Sequence, residues 1–190
     1  MVIEMKQFKD LEILTDRLII RVPTLDDAVE INTAMNGVWH DLQLWMSWAS
    51  DDQKTLEATR AYLTDFDQRG FLPLAGFCRD TGRFIVSTGI TFHNDGRRET
   101  GYWVAKDFLG LGYATESAAA TIKYGFNELD FDEFFINHYE GNEKSRNVIE
   151  KLGFVKTRVI KSNHPRCLDG VLLDEHQYII TKEQWRERCR

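Results

Sequence analysis

Gly110 and Gly112 stand directly before an alanine-rich run in FLGLGYATESAAATIKYGF, residues 108–126. The run reads as a helix, with Ala114, Ala118, Ile122 and Phe126 recurring at every fourth position. The first N–H groups of a helix have no partner inside it. They sit at the positive end of the helix dipole and suit an anion such as phosphate. A glycine has no Cβ, so a ligand can come close to its backbone. Turn and packing chemistry would account for the same glycines, and the motif alone leaves both readings open. Two nucleotide signatures do not fit. A dinucleotide loop needs a third glycine where Thr115 stands, and a Walker loop needs Gly-Lys-Ser/Thr.

Other chemistries have little to stand on. His40, His93, His138, His164 and His176 lack ligand spacing, so no metal site is expected. There is no Gly-x-Ser-x-Gly, and Cys167 near His164 is too slight a signal for a thiol dyad. Cys78, Cys167 and Cys189 are widely spaced and odd in number, which suits a reducing compartment. The N-terminal MVIEMKQFKD has no apolar signal core, and no apolar run reaches membrane-spanning length. The chain reads as cytoplasmic, with no membrane partner. A formal net charge of −6 argues against a nucleic-acid partner.

The elements that must position these residues alternate along 190 residues, read as a single domain over 1–190. RLIIRV (17–22) predicts a strand, and Thr24 with Asp26 and Asp27 opens a helix to about Met35. Residues 51–70 predict a longer helix, on Leu56, Thr59, Leu63 and Phe66, closed by Gly70. Three strands follow, at 71–79, 84–92 and 99–105, joined by DTGR and HNDGRR turns that suit antiparallel neighbours. After the helix at about 113–128 come a strand (133–139), a helix (143–153) and two strands (154–161 and 171–180). Asn142 is placed to cap the helix from Glu143, and Gly153 to end it. Thr181 and Gln184 form a capping-box pair for a short terminal helix carrying Trp185. The pattern predicts an α/β (α+β) fold: a mixed, mostly antiparallel sheet of about seven strands with helices on it.

Two stretches together resemble the GCN5-related N-acetyltransferase (GNAT) superfamily, and most closely its RimJ/RimL-type branch of ribosomal-protein N-terminal acetyltransferases. The first is Leu109-Gly110-Leu111-Gly112-Tyr113-Ala114, which fits the family loop at Gly112 and Ala114 and departs at Leu109, where the family has a polar residue. The second is NEKSRNVIEKLGF, which matches at Asn142, Ser145, Glu150, Lys151, Leu152, Gly153 and Phe154. RLIIR and ETGYWV are similar to their counterparts, and the resemblance covers roughly residues 12–185.

The resemblance implies a splayed sheet with acetyl-coenzyme A wedged between the strands ending near Val104 and Tyr139. It implies that the backbone at Trp103, Val104 and Ala105 pairs with the pantetheine arm. The loop from Leu109 through Gly112 to Ala114 and Thr115 would hold the pyrophosphate. It places Asn142 against the arm and Ser145 near the sulfur, and makes Glu99 a candidate general base. It also implies an acceptor pocket lined by Trp45 or Trp48 from the crowded segment VWHDLQLWMSWASDD; local core is the alternative reading for those rings.

The expected reaction is direct attack of an amine on acetyl-CoA in a ternary complex, since no activated cysteine is evident. At pH 7 an α-amine costs roughly 1 kcal/mol to neutralise and a lysine roughly 4.6. With Glu99 the one evident base, a protein N-terminal α-amine is favoured as acceptor, with small-molecule amines kept open. A non-catalytic acyl-CoA-binding module and a plain interaction domain are the other readings. The sequence does not fix the oligomeric state; the terminal strand and Trp185 suit either internal packing or a homodimer seam.

Overall fold

The computed structural model describes residues 5–64 and 70–188. Its centre is one sheet of eight strands: β1 (Glu12–Leu14), β2 (Leu18–Arg21), β3 (Phe71–Cys78), β4 (Phe84–Phe92), β5 (Arg98–Val104), β6 (Glu133–Tyr139), β7 (Val155–Pro165) and β8 (Leu172–Thr181). The spatial order is β1-β2-β3-β4-β5-β6-β8-β7. All neighbours are antiparallel except β5 and β6, which are joined through a helix and run parallel. β1 is one strand more than the sequence indicated. Its three residues are too few to show an alternation, and it forms by pairing with β2.

Helices cover both faces, as strand alternation requires when both sets of side chains are apolar. On one face, α4 (Tyr113–Asn127) and α5 (Glu143–Leu152) bury Ala118, Ile122, Phe126 and Ile149 against Ile20, Leu72, Ile90 and Phe134. On the other, α1 (Ala28–Gly37) and α3 (Leu56–Thr64) bury Ala28, Ile31 and Leu63 against Ala75, Phe77 and Phe84. A fully buried Ile or Phe contributes roughly 1.5–3 kcal/mol, so these two cores hold the helices on the sheet.

The remaining helices are α2 (Trp39–Trp45) and α6 (Lys182–Arg188). At α6 the capping box forms: the Thr181 amide donates to Gln184 Oε1 at 2.9 Å, and the Gln184 amide to Thr181 Oγ1 at 3.2 Å. α5 ends at Gly153 with φ +87°, the left-handed cap expected there.

Two helical segments differ from expectation. Residues 51–70 do not form one helix. Asp51–Lys54 is a 3-10 turn, Thr55 is extended, and its hydroxyl accepts from the Ala58 amide at 3.1 Å, capping α3 afresh. The expected contribution of Phe66 lies outside the described residues. The Trp-rich segment after α1 is not a bare connection, because Trp39 and Leu42 fold into the core as α2. Among the described residues no helix is long and apolar enough to cross a membrane.

Candidate active site

β5 and β6 meet in register at one pair only, Glu99 with Phe135, and then part. Parallel strands that stay paired would satisfy each other's backbone groups. Here the far half of β5 keeps only its antiparallel neighbour. Just past the end of β5, the Ala105 amide donates to the Ile85 carbonyl of β4 at 2.9 Å. Backbone groups alternate sides along a strand, so Tyr102 and Val104 turn theirs toward the opened gap, while Trp103 and Ala105 turn theirs toward β4.

A cavity of about 560 Å³ occupies the gap and continues across the sheet face. Trp45, Trp48, Glu99, Trp103, Asn142 and Ser145 all line it. The side chain of Asn142 caps α5, its Oδ1 accepting from the Ser145 amide at 3.1 Å. That cap directs the first turn of α5, and with it Ser145, at the gap. Across the gap stands Tyr102, whose hydroxyl lies 3.2 Å from Ser145 Oγ. Burial pushes the Tyr102 phenol up to about 12, against the opposing pull of its bond to Ser145. The phenol therefore keeps its proton at neutral pH.

At the point where the strands part, Glu99 is held at both oxygens. Oε2 lies 2.7 Å from Nε2 of His93, and Oε1 accepts from Asn137 Nδ2 at 3.1 Å. Trp45, at the end of α2, overhangs the other side of the gap, within 3.6 Å of where a Cβ on Gly141 would lie. Trp48 sits edge-on to the buried Trp39 and is 42% exposed, so it borders the cavity mouth.

The glycine loop lies apart from this cavity, at the N-terminus of α4. Gly110 has φ +76° and Gly112, the N-cap, has φ +85°, a region that disfavours a Cβ. The amides of Tyr113, Ala114 and Thr115 begin the helix and have no carbonyl within it to reach. Leu109 and Leu111 are 42% and 55% exposed, and contribute backbone rather than packing. The loop is braced from the β1–β2 turn by Arg17. Its Nη1 donates to the Leu111 carbonyl at 3.0 Å, its Nε to Glu116 Oε2 at 2.7 Å, and its guanidinium lies 4.0 Å over the Tyr113 ring. Burial opposes the charge on Glu116. The Thr15 hydroxyl and Arg17 outweigh it and hold the carboxyl below its ordinary range.

A model of the acetyltransferase (GNAT) domain matches residues 17–155. The chain belongs to the GNAT acetyltransferase family. YdaF of Bacillus subtilis, provisionally named a ribosomal N-acetyltransferase, is 35% identical over 100 residues, which is 50% of this chain and 54% of that protein. The chain thus matches about half the length of that relative. Among solved structures, ribosomal-protein-S5-alanine acetyltransferase from Vibrio fischeri superposes with a TM-score of 0.80 at 20% identity, over 93% of this chain and 99% of that one. RimJ of Mycobacterium smegmatis, in complex with a CoA disulfide, gives 0.76 at 20% identity, over 91% and 90%. These likenesses establish the GNAT fold, including its splayed sheet.

Four residues of this GNAT site escaped the sequence reading. Tyr102 lies inside the quoted ETGYWV, but its meeting with Ser145 depends on α5 crossing the gap. Asn137 and His93 reach Glu99 from β6 and from the β4–β5 turn. Arg17 begins the quoted RLIIR, and only the pairing of distant segments brings it to the glycine loop. Residue alternation on β5 was the one signal that could have singled out Tyr102.

Proposed function

We propose that this protein transfers an acetyl group from acetyl-CoA to a primary amine, most simply a protein N-terminal α-amine, by direct attack within a ternary complex. The observation that carries the reading is the parting of β5 from β6 immediately beyond Glu99, with Ser145 and Tyr102 facing each other across the opening. The cavity residues fit such a co-substrate: an extended amide-bearing arm would find open backbone groups at Tyr102 and Val104, beside Asn142. At α4 the unpartnered amides from Gly110 to Thr115 suit a diphosphate, and the flanking Arg17 adds positive charge.

Acetyl-CoA supplies the activated acyl group; the chain supplies position and proton traffic. Aligning reactants in the gap can account for about 7–11 kcal/mol of the barrier. Glu99 accepts the proton that the attacking nitrogen must lose, directly or through water, and Asn137 and His93 fix its orientation. Ser145 donates a hydrogen bond toward the departing sulfur. The protonated Tyr102 donates in turn to Ser145 Oγ, so it acts as a positioning residue. The names of the relatives support a ribosomal-protein N-terminus as the class of acceptor.

The test is thiol release from acetyl-CoA against peptides with free α-amines, compared with the same peptides blocked at the N-terminus. Release with the free peptides alone supports the reading. Binding of CoA without release against any amine overturns it in favour of a non-catalytic acyl-CoA module.

A further inference from the structure

Glu99, Gly101 and Trp103 alternate onto one face of β5. They present a carboxylate, a gap and an indole in a row along the cavity. Gly101 is exposed, and a Cβ built on it would meet nothing within 4 Å. Its partner across the ladder is Gly89 of β4. There the matching space is taken, since a Cβ would fall 2.6 Å from the Phe71 ring. Two neighbouring glycines thus share one face. The space over one is filled by an aromatic ring, and the space over the other is left open.

The opening over Gly101 leads away from the β5–β6 gap. The cavity runs across β4 and β3 beneath α1 and α3, past Met35, Tyr62, Phe71 and Phe84. The whole cavity, the β5–β6 gap included, is about 560 Å³, within the range of about 300–1,000 Å³ typical of ligand sites, and the chamber over Gly101 is its part beyond the gap. Among the described residues, its walls carry no lysine or arginine, and Glu99 is their only carboxylate.

We propose that the acceptor is a primary amine bearing a bulky apolar or aromatic group and no carboxylate on the carbon next to the nitrogen. The proposal rests on the acetyl-transfer reading and narrows its acceptor. Glu99 attracts the ammonium form and orients the nitrogen. The apolar group lies over Gly101, between the Trp103 indole and the rings beyond it. A small side chain would leave that chamber unfilled and forfeit its dispersion contacts. A free α-amino acid would bring its own carboxylate into walls with no cation, at the desolvation cost of an unpaired charge. The same chemistry occurs at a peptide N-terminus beginning with Phe or Leu and in a free arylalkylamine.

The experiment measures kcat/KM for four acceptors: peptides identical except for Phe or Ala at the N-terminus, then phenethylamine and phenylalanine. We expect Phe over Ala, or phenethylamine over phenylalanine, by tenfold or more. Preference confined to the peptide pair identifies a protein source, and preference confined to the free amines a small-molecule source. In Gly101→Leu the chamber is filled, so the ratio of large to small acceptor falls at least tenfold. Gly101→Ala, a milder change, shifts the ratio the same way to a lesser degree. Binding of CoA by each variant shows that the fold is kept. Equal or better turnover of the Ala peptide together with phenylalanine matching phenethylamine overturns this inference and leaves acetyl transfer standing. Absence of turnover with all four amines, with CoA still bound, overturns this inference too, and acetyl transfer itself falls only where no other amine releases the thiol.

Discussion

Ser145 is a weak acid on its own, and the role proposed for it rests on its position. Its amide is held by Asn142, and its hydroxyl faces a phenol that stays protonated. Under the proposed mechanism, replacing it would remove one hydrogen bond to the leaving sulfur and leave the positioning of both substrates intact. Ser145→Ala is expected to lower kcat about 10–100-fold, less than the roughly 10²–10⁴-fold of a full acid–base group, with little change in KM for acetyl-CoA. Steady-state kinetics on the two constants separately checks this. An unchanged kcat would remove Ser145 from the chemistry.

Glu99 differs in kind, because its carboxylate is engaged by His93 and Asn137 before any substrate arrives. Glu99→Gln keeps the shape and the Asn137 contact but cannot take a proton. The variant is expected to lose about 10²–10⁴-fold in kcat/KM, with the acidic limb of the pH–rate profile flattened. A profile of the same shape as the wild type would assign the base elsewhere.

At the scale of elements, the legible and the illegible parts of the sequence divide by range. Local rules found α4, and α5 with its caps at Asn142 and Gly153, because each depends on residues within one turn. The Thr181–Gln184 capping box is of the same kind. The break at Thr55 was also local: the apolar spacing starts only at Leu56, so residues 51–54 were joined to the helix without a periodic signal of their own. The pairing of Arg17 with Glu116 joins residues far apart in the chain, and neither residue is unusual in its own neighbourhood. The glycine loop was therefore visible as a motif, whereas its brace was not. Nor can spacing show that β5 and β6 pair once and part. That geometry came through family resemblance, and the structure places the single pairing at Glu99 and Phe135.

The brace yields a prediction of its own. Arg17→Gln releases the Leu111 carbonyl and removes a cation beside the loop. The ion pair with Glu116 is partly exposed, so loss of stability is expected to stay within about 1 kcal/mol. Affinity for acetyl-CoA is expected to fall several-fold more than that small change in stability would suggest. Thermal unfolding and acetyl-CoA titration of the same variant separate the two effects. Unaltered affinity would confine Arg17 to a structural role.

Across the whole molecule, the sheet from β6 onward carries buried histidines. His138 and His164 are both held below the ordinary imidazole range, chiefly by burial. His138 contacts the Tyr178 hydroxyl at 2.9 Å and stacks on His176, and His164 stacks on Tyr139. Below about pH 6.5 the unfolded chain takes up protons at these positions that the folded chain resists. Their contribution is thus complete above that pH and is lost progressively as pH falls toward the depressed folded values. The melting temperature is expected to drop between pH 7 and 5.5, by roughly 2–4 °C for each kcal/mol lost at this chain length. His138→Gln is expected to reduce that slope, and an equal slope in the variant would place the proton uptake elsewhere.

Under the proposed function, the helices on either face and the parted strands between them serve one arrangement, in which free main-chain amides at α4 would take the diphosphate of acetyl-CoA and the open edge on β5 its pantetheine arm. Titration calorimetry with acetyl-CoA tests this most directly. Saturable binding at one site per chain, weakened by Gly112→Val, which forces a side chain into the left-handed cap at φ +85°, is the predicted result. No heat of binding to the wild-type protein, or binding that Gly112→Val leaves untouched, would contradict it.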